Sequence, residues 1–126
     1  MTPRLAGILF VIAAMAVESL AQLALKVGSS GGPSILAGRF RDLASSLAFG
    51  RSASVWIALG VAAYVLEIFL YTLALQRLDV SVAFPLGSLC FVGVALLSRV
   101  FLAESVGTVR WLGVLTILAG CAVTAL

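Results

Sequence analysis

Two carboxylates stand where a lipid bilayer would penalise them. Glu18 interrupts residues 5–25, a run of 21 positions that is otherwise almost wholly apolar, and Glu67 interrupts a second run at 54–75. A charge near the bilayer centre costs about 2.5–3.5 kcal/mol on insertion scales, so intramembrane acids mark proton, ion or substrate pathways by default. The competing reading is a protonated or hydrogen-bonded Glu that only joins helices. Gln22 follows Glu18 by one helical turn and Lys26 by two, on one face, with Lys26 at the membrane edge. On the second run Gly60, Tyr64, Glu67 and Tyr71 recur at helical spacing as a stripe of small residue, ring, carboxylate and ring. Tyr rings offer apolar faces with a hydroxyl, suited to gripping a cation or stacking on a sugar. Tyr71 also fits an interfacial aromatic belt.

Residues of this kind act only if helices carry them to depth. The chain has 126 residues, 63% hydrophobic and 10% charged, with a mean hydropathy of +1.23. So much apolar surface cannot be hidden in a soluble domain of this size, which predicts an integral membrane protein. Four segments reach the ~20 residues a spanning helix needs: 5–25, 54–75, 80–101 and 107–126. Backbone groups in lipid must be satisfied within the segment, so the expected fold class is all-α. The spans and their loops consume residues 1–126 as one four-helix transmembrane domain. Arg4 ahead of an apolar run, with Ser19-Leu20-Ala21, loosely imitates a cleaved leader. Glu18 and the three later spans argue that the segment is retained.

Basic residues fix an expected orientation. Lys26, Arg39, Arg41, Arg51, Arg99 and Arg110 fall on the face of the first and third loops, against Arg4 and Arg77 on the other. Six against two predicts that those loops are cytoplasmic and both termini periplasmic. On this orientation Glu18 lies about 4–5 Å to the cytoplasmic side of its span's midpoint, and Glu67 about 4 Å to the outer side of its own. Acids staggered in this way could hand a proton or a polar headgroup across the middle, or could be paired by shared protonation. A single orientation also makes a parallel pair the natural form of any self-association.

The first loop, residues 27–53, is long. Its run Gly28-Ser29-Ser30-Gly31-Gly32 lacks the lysine of a phosphate loop. Pro33 can start a short helix. Leu36, Phe40, Leu43 and Leu47 then follow helical spacing, with Arg39, Asp42 and Ser46 on another face. That pattern predicts an amphipathic helix on the cytoplasmic interface, ending near Gly50. Arg39 and Arg41 could there meet a lipid phosphate. Residues 76–79 join the second and third spans as a tight antiparallel hairpin.

In the third span Pro85 removes a backbone bond and kinks the helix, and with Gly87 beside it forms the candidate hinge. Phe84 precedes that proline, and Ser81 and Ser88 share a face that could line a polar cavity. In the last span Gly113 and Gly120 leave a smooth face for close helix packing, the candidate dimer surface. Cys90 and Cys121 read as packing residues. The chain has no His, no metal-ligand cluster and no nucleotide or hydrolase motif, so no enzyme activity and no cofactor are expected. The net charge of +3 belongs to the span flanks and not to a nucleic-acid stripe.

Glu18-x3-Gln22-x3-Lys26 resembles the first helix of small multidrug resistance transporters, whose essential Glu precedes a Lys by eight residues. Tyr64 and Phe84 fall where that family has binding-site aromatics, and Gly113-x6-Gly120 looks like its dimer-forming helix. Gly87 stands where the family has a third-helix tryptophan. Residues 73–86, Leu-Ala-Leu-Gln-Arg-Leu-Asp-Val-Ser-Val-Ala-Phe-Pro-Leu, look closer to another branch of the drug/metabolite transporter superfamily. This branch is the EamA-like four-helix subunits that flip aminoarabinose-phosphoundecaprenol and related lipid-linked sugars. Gln22, Lys26, Glu104 and the long basic first loop are similar to theirs, whereas Glu18 departs from them.

The resemblance implies an inner-membrane subunit translocating a polyprenyl-phosphate-linked sugar, with Glu18 as a site for proton coupling. It implies a homodimer or a heterodimer with a related four-helix subunit, and membrane lipids as surroundings. The alternative it implies is a proton-coupled exporter of organic cations. Glu18, Gln22, Lys26, Tyr64, Glu67, Tyr71, Phe84 and Ser88 are the expected pathway in either case.

Overall fold

Thr2 starts the first span. Its hydroxyl accepts the Leu5 amide at 3.3 Å, and Pro3 occupies the first turn, where a missing N–H leaves no bond unmade. In the computed structural model, which describes residues 2–47 and 52–126, four helices are long and apolar enough to cross a membrane, and the chain is a multi-pass membrane protein. The first, α1 (Pro3–Ser29), runs four residues beyond the expected end at Leu25. A short helix follows in the loop, α2 (Gly38–Ser46), and the second span is α3 (Ala53–Leu75). The third span is two pieces, α4 (Val80–Gly87) and α5 (Leu89–Phe101), and the fourth is α6 (Thr108–Ala125).

The centre of the bundle is α1, packed most extensively on α3 and then on α5, while α6 packs on α4 and α5 at the margin. Small residues allow the close approach of α1 and α3. A Cβ built on Gly60 would lie 2.8 Å from Leu25 Cδ2 and 3.1 Å from the Ala21 carbonyl. Packing Gly28 on Ile57, Leu25 on Gly60 and Gln22 on Tyr64 sets one antiparallel register along the whole seam.

Residues 76–79 do turn the chain tightly, with Leu78 N donating to Ala74 O at 3.0 Å. The two helices nevertheless diverge, and α3 scarcely touches α4. The reason is Leu78, which is buried and seated against Gly7 of α1, so that the turn is fastened to α1 and its two arms pass on either side.

Pro85 divides the third span, and the break is at Ser88, whose amide turns back to Pro85 O at 3.0 Å. Backbone groups around this break find side-chain partners. The Cys121 thiol donates to Pro85 O at 3.2 Å, and Ser19 Oγ lies 2.7 Å from Met15 O and 3.2 Å from Cys90 O. Both cysteines are free thiols, and Cys121 does more than pack.

The loop helix is amphipathic and shorter than the spacing predicts. Pro33–Ile35 forms one 3-10 turn, Leu36 and Ala37 are extended, and α2 begins only at Gly38. The interruption lets Ala37 N donate to Phe101 O at 2.7 Å, and the Phe40 and Phe101 rings meet at 4.3 Å. Leu36 and Ala44 are buried, while Arg39, Arg41 and Asp42 face outward. Gly50 and Arg51 lie outside the described residues. At the other end of the bundle Arg4 Nη2 donates to Ala125 O at 2.8 Å, which holds the two termini together.

Candidate functional site

The register of α1 on α3 builds the site. Gln22 Nε2 donates to the Tyr64 hydroxyl. One turn further along both helices, in the same direction, Glu18 comes abreast of Glu67. The two acids therefore share one cavity, instead of standing at separate depths. The expected stagger came from centring each span on its own midpoint. It fails because the contacts of Gly28, Leu25 and Gln22 with Ile57, Gly60 and Tyr64 offset α1 along α3.

The shared cavity has a volume of about 350 Å³. Met15 and Glu18 form its back, Glu67 and Tyr71 one side, and Phe84, Gly87, Ser88, Cys90 and Phe91 the other. The divergence of α3 from α4 leaves it open sideways, and Phe84 and Phe91 flank the opening with 74% and 60% of their surface exposed. The break at Ser88 supplies part of the wall, so the candidate hinge and the acids meet at one place.

A second cavity, of about 300 Å³, lies toward the end of the first and third loops. Ser19, Gln22 and Lys26 of α1 face Ser98 and Glu104 across it. Gln22 and Lys26 therefore stand in a different chamber from Glu18, with Ser19 between the two. Ser19 is itself packed closely against Gly93 of α5.

Sequence reasoning missed Ser19, Cys90, Phe91, Ser98 and the cavity role of Glu104. The signal for Ser19 was its spacing beside Glu18, and its pairing with Gly93 could not be read from one segment. Tyr64 touches Gln22 rather than either acid, and Ser81 is exposed away from the cavity. Arg39 and Arg41 stand on the exposed face of α2. A Cβ on Gly113 or Gly120 would meet nothing within 4 Å, which leaves that face of α6 uncovered.

Two carboxylates, a phenol and a serine around one chamber can exchange a proton and accept hydrogen bonds from an amine or from sugar hydroxyls. Replacing Tyr64 by Phe removes the α1–α3 side-chain bond alone. It is expected to cost about 0.6–2 kcal/mol in a membrane protein, read as a lower unfolding midpoint in detergent. An unchanged midpoint would mean that Gln22 finds another partner at no cost.

The profile of the EamA-like transporter family matches residues 5–126. Several curated relatives carry the description probable 4-amino-4-deoxy-L-arabinose-phosphoundecaprenol flippase subunit ArnE. That of Pseudomonas savastanoi pv. phaseolicola is 39% identical over 67 residues, covering 53% of this chain and 59% of the relative. That of Pseudomonas fluorescens is 41% identical over 69 residues, covering 55% and 60%. That of Yersinia pestis is 38% identical over 65 residues, covering 52% and 57%. The chain thus spans well under two thirds of the length of these relatives. No solved structure matches it.

Proposed function

Since the chain belongs to the EamA-like transporter family, we propose that it is a subunit that moves a polyprenyl-phosphate-linked sugar, or a similar lipid, between the leaflets of the bacterial inner membrane. The relatives described as flippase subunits support this substrate class. The observation that carries it is the sideways opening of the acid-bearing cavity, flanked by Phe84 and Phe91. A lipid-linked substrate has a polar head that must be sheltered and a tail that stays in the bilayer, and a laterally open chamber suits both.

In this reading Lys26, Arg39 and Arg41 attract the phosphate from the cytoplasmic side. Gln22 and Tyr64 lead the headgroup inward, and Glu18, Glu67, Tyr71, Phe84 and Ser88 line its crossing. Pro85 and Gly87 flex as the hinge, and protonation of Glu18 couples the cycle to the proton gradient. The unit acts as a single four-helix domain with periplasmic termini. It pairs through Gly113 and Gly120 with a second copy or a related four-helix subunit.

The test is headgroup exposure in sealed vesicles carrying a fluorescent polyprenyl-phosphate sugar in one leaflet. Vesicles with the protein, alone or with its related subunit, are expected to equilibrate the label; equilibration no faster than in protein-free vesicles would reject the reading. A second reading, proton-coupled export of organic cations, is favoured by one observation: two acids among Tyr71, Phe84 and Phe91 suit a cationic guest. It predicts proton release when a quaternary ammonium compound is added to purified protein.

A further inference from the structure

The outer face of the protein is poor in cations, yet both of its basic side chains open onto one cavity. Arg4 at the start of α1 and Arg77 in the turn after α3 line a polar space of about 580 Å³ with Gln76 and Asp79. From these residues we infer an anion site that receives a lipid phosphate at the outer end of the bundle. The Gln76-Arg77-Leu78-Asp79 turn then has a task beyond reversing the chain.

Both guanidiniums are held in place. Arg77 Nη1 donates to Leu73 O at 2.8 Å and its guanidinium carbon lies 4.9 Å from the centre of the Phe10 ring, while Arg4 Nη2 donates to Ala125 O at 2.8 Å. Each bond uses one of five donors, which leaves most of each fork for an oxyanion. Among the described residues neither arginine is ion-paired with a carboxylate. Leu78 is seated on Gly7, so the turn that carries Arg77 cannot drift away from α1 and Arg4. Two arginines lining one polar cavity, one from α1 and one from the turn after α3, suit the oxygens of a phosphate. Asp79 on the same wall is placed to accept from hydroxyls or an amine carried next to that phosphate. The rival role is structural: both arginines touch carbonyls at helix C-termini, where a cation is favoured on its own account.

The experiment counts bound dioctanoyl phosphatidic acid on the detergent-solubilised full chain by native mass spectrometry, with dioctanoyl phosphatidylcholine as control. Arg4→Gln with Arg77→Gln is expected to remove one bound phosphatidic acid, and to weaken its binding at least about tenfold. Arg77→Lys, which keeps the charge and loses the fork, should give an intermediate loss. Arg99→Gln with Arg110→Gln, two arginines that do not line this cavity, should leave this equivalent in place. Competition by inorganic phosphate would assign the site to phosphate itself, and its failure to compete would assign it to phosphate on a lipid. Undiminished binding by the double variant, or equal loss of phosphatidylcholine with a fallen unfolding midpoint, would overturn the site in favour of the capping role. The inference rests on lipid-phosphate transport only for its meaning. Arginine-dependent binding without headgroup translocation would sink the transport reading alone, and translocation with arginine-independent binding would sink this site alone.

Discussion

Glu18→Gln is expected to slow headgroup translocation in vesicles by about tenfold to a hundredfold, the loss that follows when one charge-assisted hydrogen bond disappears at the crossing. Gln has the shape of Glu, so the unfolding midpoint should hold and the effect can be read as function. Glu67→Gln should act in the same direction, because both carboxylates face one chamber. The double variant should be little worse than the more damaging single one, since residues that share a chamber do not act additively. Unchanged translocation in both single variants would remove the acids from the passage and leave them the helix-joining role. An additive double variant would argue for two separate stations.

Gly28→Ala should be the most destabilising small substitution in the bundle. The new Cβ would lie 2.5 Å from Ile57 Cγ1, 2.9 Å from Ile57 N and 3.0 Å from Ala53 O. Two of those three atoms are backbone and cannot swing aside, so α1 and α3 must part where Gly28 meets Ile57. Overpacking of this kind costs about 1–3 kcal/mol, occasionally more. The same change at Gly113 or Gly120 meets open space, and should fall within about 0.5 kcal/mol for the monomer. Unfolding titrations of the three variants in detergent check the contrast. A Gly28→Ala midpoint equal to the wild type would show a looser α1–α3 seam than the register implies. Loss of self-association in Gly113→Leu or Gly120→Leu, at unchanged monomer stability, is the outcome expected of an assembly face.

Hydropathy belongs to a single segment, and so the four spans could be read within a few residues from the sequence. The apolar spacing of Leu36, Phe40 and Leu43 likewise foretold a loop helix, because those side chains need only some apolar surface beneath them. Its late start could not be foreseen, since it depends on Phe101 accepting the Ala37 amide. The level meeting of Glu18 and Glu67 was hidden for the same reason. It follows from Gly28, Gly60 and Gln22 choosing their partners on α3, which one segment does not record. The hairpin of residues 76–79 was legible as a turn but not as a gap, because the gap is made by Leu78 docking on a third helix. Ser19 and Cys121 looked like filler until the break at Ser88 gave them carbonyls to bind.

The docking of the first loop on Phe101 has a consequence for biosynthesis. When α2 leaves the ribosome, the main-chain oxygen that will take the Ala37 proton and the ring that will meet Phe40 have not been made. Both arrive only after two more spans. Until then the loop has Leu23 and Val27 of α1, and next Trp56 of α3, as its apolar support within the protein, and the Ala37 amide is left to water. That end of the bundle is therefore among the last parts to close, and a chain halted before Phe101 would leave the ribosome without the Ala37 and Phe40 contacts of its first loop.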